Sequence, residues 1–413
     1  MLFMYQLSIG LYDLIVRIIS PFNPKAKKFF KGRKNWRNKL TGAIENNPGK
    51  WVWFHAASLG EFEQGRPVME ALKDQHPDIK ILLTFFSPSG YEVRNNYEKA
   101  DYICYLPLDT PAAAKYFVQT VQPAVAVFIK YEFWYYYLKY LELEKVPILM
   151  ISCIFRENQL FFHPAGRFYH KALKRINHFF VQDEKSQRLI SDIGIQNTTV
   201  SGDTRFDRVV TIAQDAKDIP IAASFTKDNS VMVLGSTWPS CMEHLTPFIH
   251  HYKGSLKFII APHNISEPEL AKLESDFENC IRYSKAEAEN VSKFEVLIID
   301  NIGMLSSLYR YGDFAYVGGA FRGALHNTLE AAVYGIPVCF GEHMNNQKFI
   351  EAIELVAYGG GFTFRSFDEL DVRFKRLMEN EVSYKRMARA SGEFVKSRTG
   401  ATEKVMAKIS ELL

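Results

Sequence analysis

Two successive Rossmann-like α/β domains facing a central cleft are the fold this sequence predicts, and three observations predict it. The chain has 413 residues, more than one hydrophobic core usually organises, so two domains are expected at roughly 100 to 200 residues each. Short apolar runs of strand length alternate with helix-length segments almost throughout, the pattern of a mainly parallel sheet covered on both faces. The alternation pauses once, in a polar stretch that contains Asp215, Lys217, Asp218, Pro220 and Lys227, and then resumes.

In chain order, Met1–Pro21 is rich in Leu, Ile, Phe and Tyr but carries Asp13 and Arg17, and a dense cationic stretch follows: Lys25, Lys27, Lys28, Lys31, Arg33, Lys34, Arg37 and Lys39. An apolar helix followed by clustered positive charge suits an anionic bilayer surface. The order of charge and apolar segment is the reverse of a signal peptide's. A spanning segment needs about 20 mainly apolar residues, so two internal charges make a spanning helix less secure than membrane association as such. The plainer alternative is an ordinary helix packed on the domain with a solvated basic loop behind it.

The first domain, residues 41–210, reads as strands at Trp51–His55, Ile79–Phe85, Tyr102–Leu106, Ala124–Ile129, Pro147–Ser152 and His178–Val181, with helices near 61–75, 110–121, 131–143 and 166–176. Residues 211–229 read as the linker. Strands of the second domain, 230–413, are expected at Ser230–Gly235, Leu256–Ala261, Phe294–Ile299, Asp313–Gly318 and Ile336–Phe340, with the last helix free to pack back on the first domain.

Composition bounds the function. Hydrophobic residues make up 47% and charged residues 23%, and no low-complexity stretch interrupts them, so the body is globular. A net charge of +4 gives no argument for nucleic acid. Five scattered cysteines without a CxxC pair read as reduced core residues in a cytosolic setting. No Asp-x-Asp motif or His/Cys cluster points to a metal, and no cofactor is expected.

Three segments carry chemistry. His55-Ala56-Ala57-Ser58-Leu59-Gly60-Glu61 lies where the first strand turns into a helix. A carboxylate there complements the helix dipole, and Ser58 with Glu61 has capping-box spacing. From this motif alone a cap is the better reading than a base. Ser201-Gly202-Asp203-Thr204-Arg205-Phe206-Asp207 offers a cation, Arg205, for a donor or leaving group; a salt bridge between Arg205 and Asp207 explains it equally well. Gly318-Gly319-Ala320-Phe321-Arg322-Gly323-Ala324-Leu325-His326-Asn327-Thr328-Leu329-Glu330 runs from a strand through a glycine-rich loop into a helix. Glycines permit close approach of a phosphate, and Glu330 could accept from both hydroxyls of a ribose.

At these residues the chain resembles the 3-deoxy-D-manno-octulosonic acid (Kdo) transferases, glycosyltransferases that add Kdo to the lipid A precursor. The resemblance runs in order through the apolar and basic N-terminus, Ser58-Leu59-Gly60-Glu61, Thr84–Gly90, Leu106-Pro107-Leu108-Asp109, Glu132-Phe133-Trp134, Gly202–Asp207, Gly235-Ser236-Thr237 and His326-Asn327-x-x-Glu330. It implies the two-domain GT-B-type architecture and an inverting, metal-independent transfer from CMP-Kdo at the cytoplasmic face of the inner membrane. Glu61 would be the general base. Arg205 stands where the family usually has a lysine that stabilises the transition state, and the two are not equivalent. Pro262, His263, Ile302, Gly303, Met304, Asn327, Thr328, Leu329 and Glu330 would bind CMP; Ser236, Thr237, Gly318, Gly319 and His326 are further donor-site candidates.

The chain departs from the family pattern in three places. His263 replaces a usual arginine, Met304 a usual acid, and Lys130 the first carboxylate of the usual Glu-Thr-Glu-x-Trp-Pro. Glu132 remains two positions on, on the same face if the strand continues; a local Lys130–Glu132 ion pair is the plainer alternative. The implied partners are CMP-Kdo, a lipid A precursor and an anionic membrane, with no nucleic acid. A nucleotide-sugar epimerase or other-sugar transferase on the same fold, or a non-catalytic membrane-bound scaffold for lipid or nucleotide, are the competing readings.

Overall fold

The computed structural model describes residues 2–163, 166–343 and 348–413, so Met1 lies outside it. Its strands are β1 (Trp51–Ala56), β2 (Lys80–Phe85), β3 (Tyr102–Tyr105), β4 (Val125–Ile129), β5 (Ile148–Cys153), β6 (His178–Val181), β7 (Thr198–Val200), β8 (Val231–Thr237), β9 (Lys257–Pro262), β10 (Cys280–Arg282), β11 (Val296–Ile298), β12 (Phe314–Val317), β13 (Val338–Gly341) and β14 (Gly361–Phe364). They form two seven-stranded sheets, ordered β3-β2-β1-β4-β5-β6-β7 and β10-β11-β9-β8-β12-β13-β14. The pairings are parallel, with β1 joined to both β2 and β4, and β8 to both β9 and β12. Strand order therefore reverses at β1/β4 in one sheet and at β8/β12 in the other, and ligands of such sheets bind beyond the carboxyl ends at these points. The predicted α/β class and its two parallel sheets are what the structure shows.

The apolar runs are long because both faces of each strand are covered. Trp51 and Trp53 pack with Leu82, Phe117 and Phe128 on one face of the first sheet, while the alternating Val52 and Phe54 pack with Ile81, Leu83 and Val127 on the other. In the second sheet Leu234, Phe258, Ile298 and Tyr316 share one core with Phe248 and Phe374. The strands the sequence did not reveal, β7, β10 and β14, all lie at sheet edges. Each has only three or four residues, and an edge strand lacks the second apolar neighbour that makes a long buried run.

Two compact units divide the chain, one comprising Met1–Asp207 with Thr399–Leu413, the other Arg208–Arg398. The stretch expected as a linker is largely helical: helix Thr204–Gln214 runs across the boundary and helix Pro220–Thr226 follows. The C-terminal helix Ala401–Leu412 belongs to the first unit, where Val405, Met406 and Ile409 join the core around Val52 and Phe54. Asp207 secures its start by accepting from the N–H groups of Gly400 at 2.6 Å and Thr402 at 2.7 Å.

The first helix, Leu2–Ile19, is long and apolar enough to cross a membrane by length and composition. Phe3, Met4, Leu7, Leu11, Leu14 and Ile18 are exposed on it, whereas Val16 is buried. Its start is pinned to the domain by Tyr5, whose hydroxyl donates to Asp109 at 2.5 Å. Arg33, part of the basic stretch, turns inward: it donates to the carbonyls of Leu106, Phe86 and Phe29 at 2.8, 2.8 and 3.1 Å. Burial pulls its pKa down to about 10. Arg33 is thus a structural cation, and the outward charge of this segment rests on its neighbours.

Asp109 is buried and also accepts from the N–H groups of Tyr136 and Tyr137, both at 3.0 Å. Burial raises its carboxyl to about 6 even against these bonds. A carboxyl whose pKa is higher folded than unfolded favours the fold at low pH, and that contribution is lost as pH rises from the unfolded value near 4 through about 6. Thermal unfolding of wild type against Asp109→Asn is expected to show a loss of about 3 kcal/mol across that window in wild type alone. Parallel pH profiles of the two proteins would remove Asp109 from this role.

Candidate active site

At the reversal point of the first sheet, β1 ends at Ala56 and the chain turns through Ser58, which is extended at φ −145° and ψ −176°, into helix Leu59–Gln75. Glu61 therefore sits in the first helical turn, where the dipole favours a carboxylate. Its spacing from Ser58 does not form a capping box. The Ser58 hydroxyl makes no bond to the helix N–H groups and donates to Glu61 Oε2 instead. On the other side of the reversal point, Lys130 follows β4 in the left-handed conformation, φ 66°, which strains a residue with a Cβ by about 1 kcal/mol or more. Its backbone N–H is tied to Ile151 O at 2.9 Å, and its Nζ lies 3.4 Å from Glu61 Oε1.

The departure at position 130 thus places a cation on the proposed base. Burial pushes the Glu61 carboxyl up, but Lys130, Ser58 and the helix N–H together outweigh it and hold it below the usual carboxylate range. The desolvation expected to raise it is overcome by a charge of the opposite sign. A base of depressed pKa is ionised throughout the neutral range, so activity that depends on Glu61 should persist at low pH. In Lys130→Met the acid limb of the pH–kcat/KM profile is expected to move to higher pH; an unmoved limb would mean that Lys130 does not act on the titrating group.

Lys130 and Glu132 form neither a shared strand face nor a local ion pair. The left-handed turn ends β4 at Ile129, and Glu132 is directed to His55, its Oε2 lying 3.8 Å from Nε2. His55 is fully buried in β1. Its Nδ1 lies 2.9 Å from Thr84 Oγ1, and its Nε2 accepts from Trp134 Nε1 at 3.1 Å. That acceptor role assigns the ring proton to Nδ1. His55, Thr84 and Trp134, which the sequence placed in three separate motifs, are joined by hydrogen bonds beside the β1/β4 ends.

Arg205 is the second residue of the helix after β7, Thr204–Gln214. Its backbone N–H, Nε and Nη2 donate to the Asp203 carboxylate at 2.9, 3.0 and 2.8 Å. Asp203 is thus a carboxylate that orients it. Burial pushes Asp203 up, yet Arg205 and a 2.9 Å bond from Gln64 Nε2 keep it below its ordinary value. The Thr204 hydroxyl reaches the carbonyl of Gln64. Gln64 stands one turn along from Glu61 on the same helix face, so a turn more than a hundred residues away in sequence is stitched to the helix of the proposed base.

In the second unit, Ser236 is left-handed at φ 53°, and Thr237 ends β8 with a buried hydroxyl that has no partner among the described residues. The glycine pair serves its own backbone. A Cβ on Gly318 would lie 2.0 Å from Ser236 O, and one on Gly319, at φ 90°, 2.3 Å from Ala324 O. These glycines are required by close approach of the chain to itself, so they carry no separate argument for phosphate.

The loop then brings His326 to His263, at 4.8 Å between ring centroids. His263 stacks on Trp238 at 4.0 Å and 22°, and Trp238 Nε1 points to His326 Nε2 at 3.4 Å. Burial lowers both imidazoles, His326 to about 4, so they are neutral at physiological pH. Next to them a cavity of ≈ 460 Å3 opens against Thr237, Trp238 and Pro262, within the size range of small-molecule pockets.

Asn327 and Glu330 form a bonded pair, Nδ2 to Oε1 at 3.2 Å, and Asn327 Oδ1 accepts from Leu329 N–H at 3.1 Å. Thr328 and Leu329 are fully buried. Both side chains are therefore enclosed in the domain and do not face a ligand, contrary to the expectation that they bind CMP. Ile302, Gly303 and Met304 lie on the loop after β11, with Ile302 86% exposed. No hydrogen bond or ring contact joins them to the His263 cluster among the described residues. No group of three or more His, Cys, Asp or Glu side chains is placed to hold a metal among the described residues.

A family described as 3-deoxy-D-manno-octulosonic-acid transferase (kdotransferase) matches residues 34–208. A Kdo transferase of Aquifex aeolicus is 27% identical over 333 residues, 79% of this chain and 86% of that protein. One of Haemophilus influenzae is 24% identical over 408 residues, 95% of this chain and 94% of its own length. Among solved structures, MurG of Acinetobacter baumannii superposes with a TM-score of 0.57 at 13% identity, over 88% of this chain and 99% of that one. A putative UDP-N-acetylglucosamine 2-epimerase of Listeria monocytogenes gives 0.57 at 12% identity, over 88% and 96%. These two likenesses speak to the fold alone.

Proposed function

We propose, from the match to the Kdo transferase model over residues 34–208 and the likeness to Kdo transferases along most of the chain, that the protein transfers Kdo from CMP-Kdo to a lipid A precursor, with inversion and without a metal. The observation that carries this reading is the ionised Glu61 at the β1/β4 reversal point, held between Ser58 and Lys130. Glu61 takes the proton of the acceptor hydroxyl as that oxygen bonds to the Kdo anomeric carbon. The bond from that carbon to the CMP phosphate breaks, and CMP leaves with the electron pair. Arg205, fixed by Asp203, offsets the charge that develops on donor and leaving group.

Exposed apolar residues of Leu2–Ile19 and the outward lysines after it suit attachment to the cytoplasmic face of an anionic inner membrane. Nuclear magnetic resonance of the product, formed in the presence of EDTA, tests the mechanism. An anomeric configuration opposite to the donor's is expected. Retained configuration would remove direct displacement, and abolition of turnover by EDTA would remove metal independence.

A further inference from the structure

Resting on that donor reading, we propose that Arg322 is the residue that binds the donor's phosphate group. The loop that follows β12 forms a single turn, Ala320–Arg322, held between left-handed glycines at φ 90° and 64°. Ala320 is fully buried, and Phe321 is driven into the core against Gly341 and Phe364. The next side chain is thereby forced outward, and Arg322 is exposed at the carboxyl end of the sheet. Its guanidinium lies over Trp238, 4.2 Å from the ring centroid. Trp238 in turn stacks on His263, which meets His326.

This ladder crosses the strand-order reversal, drawing on the ends of β8, β9 and β12. It holds one fixed positive charge. Burial keeps both imidazoles neutral, and Arg322 itself helps lower His263. Several other cations of this unit are held by carboxylates: Arg282 by Glu267 and Glu274, Lys272 by Asp276, Arg310 by Asp218. No carboxylate pairs with Arg322 among the described residues. Stacking of the exposed Arg322 guanidinium on the half-buried Trp238 indole contributes only about 0.5–1 kcal/mol and leaves the guanidinium's N–H fork open to an oxyanion, the geometry that suits phosphate. Position 263 carries an imidazole, and the charge that a phosphate requires is supplied from the neighbouring loop.

Isothermal titration of the full-length protein with cytidine, CMP, uridine and UDP separates this inference from the donor reading. The quantity to read is the phosphate increment, the ratio of nucleoside Kd to nucleotide Kd. In wild type CMP is expected to bind more tightly than cytidine and than UDP. In Arg322→Met the CMP increment is expected to fall by roughly 10- to 100-fold with cytidine binding unchanged, and Arg322→Lys to restore part of it. If Arg322 serves only to pack Trp238, nucleoside and nucleotide weaken together, the ratio stays constant and the inference fails while the donor reading stands. If UDP is the nucleotide bound and its increment falls in Arg322→Met, Arg322 stands and the CMP donor fails. Absence of binding by all four would overturn both.

Discussion

Replacing Glu61 by Gln is expected to lower kcat/KM by roughly 10²- to 10⁴-fold, the usual contribution of a positioned general base. The substitution keeps size and the bond from Ser58 but removes the only function the mechanism asks of this side chain, acceptance of a proton. Lys130 would be left beside a neutral amide at 3.4 Å, which it tolerates because it is a quarter exposed. The fold should therefore survive, and thermal unfolding near the wild-type midpoint is part of the expected result. If Glu61 were only a helix-start carboxylate, the amide would weaken the dipole interaction by about 0.3–1 kcal/mol and leave turnover intact. Transfer assays under saturating donor and acceptor distinguish the two, and full activity of Glu61→Gln would reduce Glu61 to that structural role.

Arg205→Met should show two separable losses. Removing a preorganised donor of positive charge is expected to lower kcat by roughly 10²- to 10³-fold. It also strands Asp203, a buried carboxylate whose charge Arg205 offsets, and breaking such a pair costs about 3 kcal/mol or more in stability. The double variant Asp203→Asn/Arg205→Met tests the partition: stability should largely return while activity stays low. Recovery of activity along with stability would make Arg205 a positioning residue for its own loop. Arg205→Lys keeps the charge and loses the forked bond to Asp203, so it should retain much more activity than the methionine variant.

The fold was legible where physics writes it in local sequence. Buried parallel strands such as Val125–Ile129 and Ile148–Cys153 read as unbroken apolar runs, because both their faces are covered. Thr198–Val200 and Cys280–Arg282 did not, being short edge strands with partly exposed residues. The site was legible residue by residue and much less so as an arrangement. Glu61 and Lys130 both stood out, but their ion pair depends on β1 and β4 being neighbours, which no local pattern states. Arg205 proved to be held by Asp203, two residues before it, because the helix start turns the guanidinium back over that buried carboxylate.

Gly318 and Gly319 looked like a phosphate loop, whereas the backbone they accommodate is their own. Within the same loop Arg322 drew no notice, since its meaning comes from Trp238, which joins it only in the folded domain. A single arginine inside a glycine-rich turn after a strand was the available signal.

The most direct test of Kdo transfer is mass spectrometry of a tetra-acylated lipid A precursor incubated with the purified full-length protein and CMP-Kdo. Wild type is expected to convert the acceptor to a species heavier by one or more Kdo residues with release of free CMP, and Glu61→Gln to leave it almost unconverted. An acceptor unchanged in mass with wild-type protein, or equal conversion by the two proteins, would contradict the account.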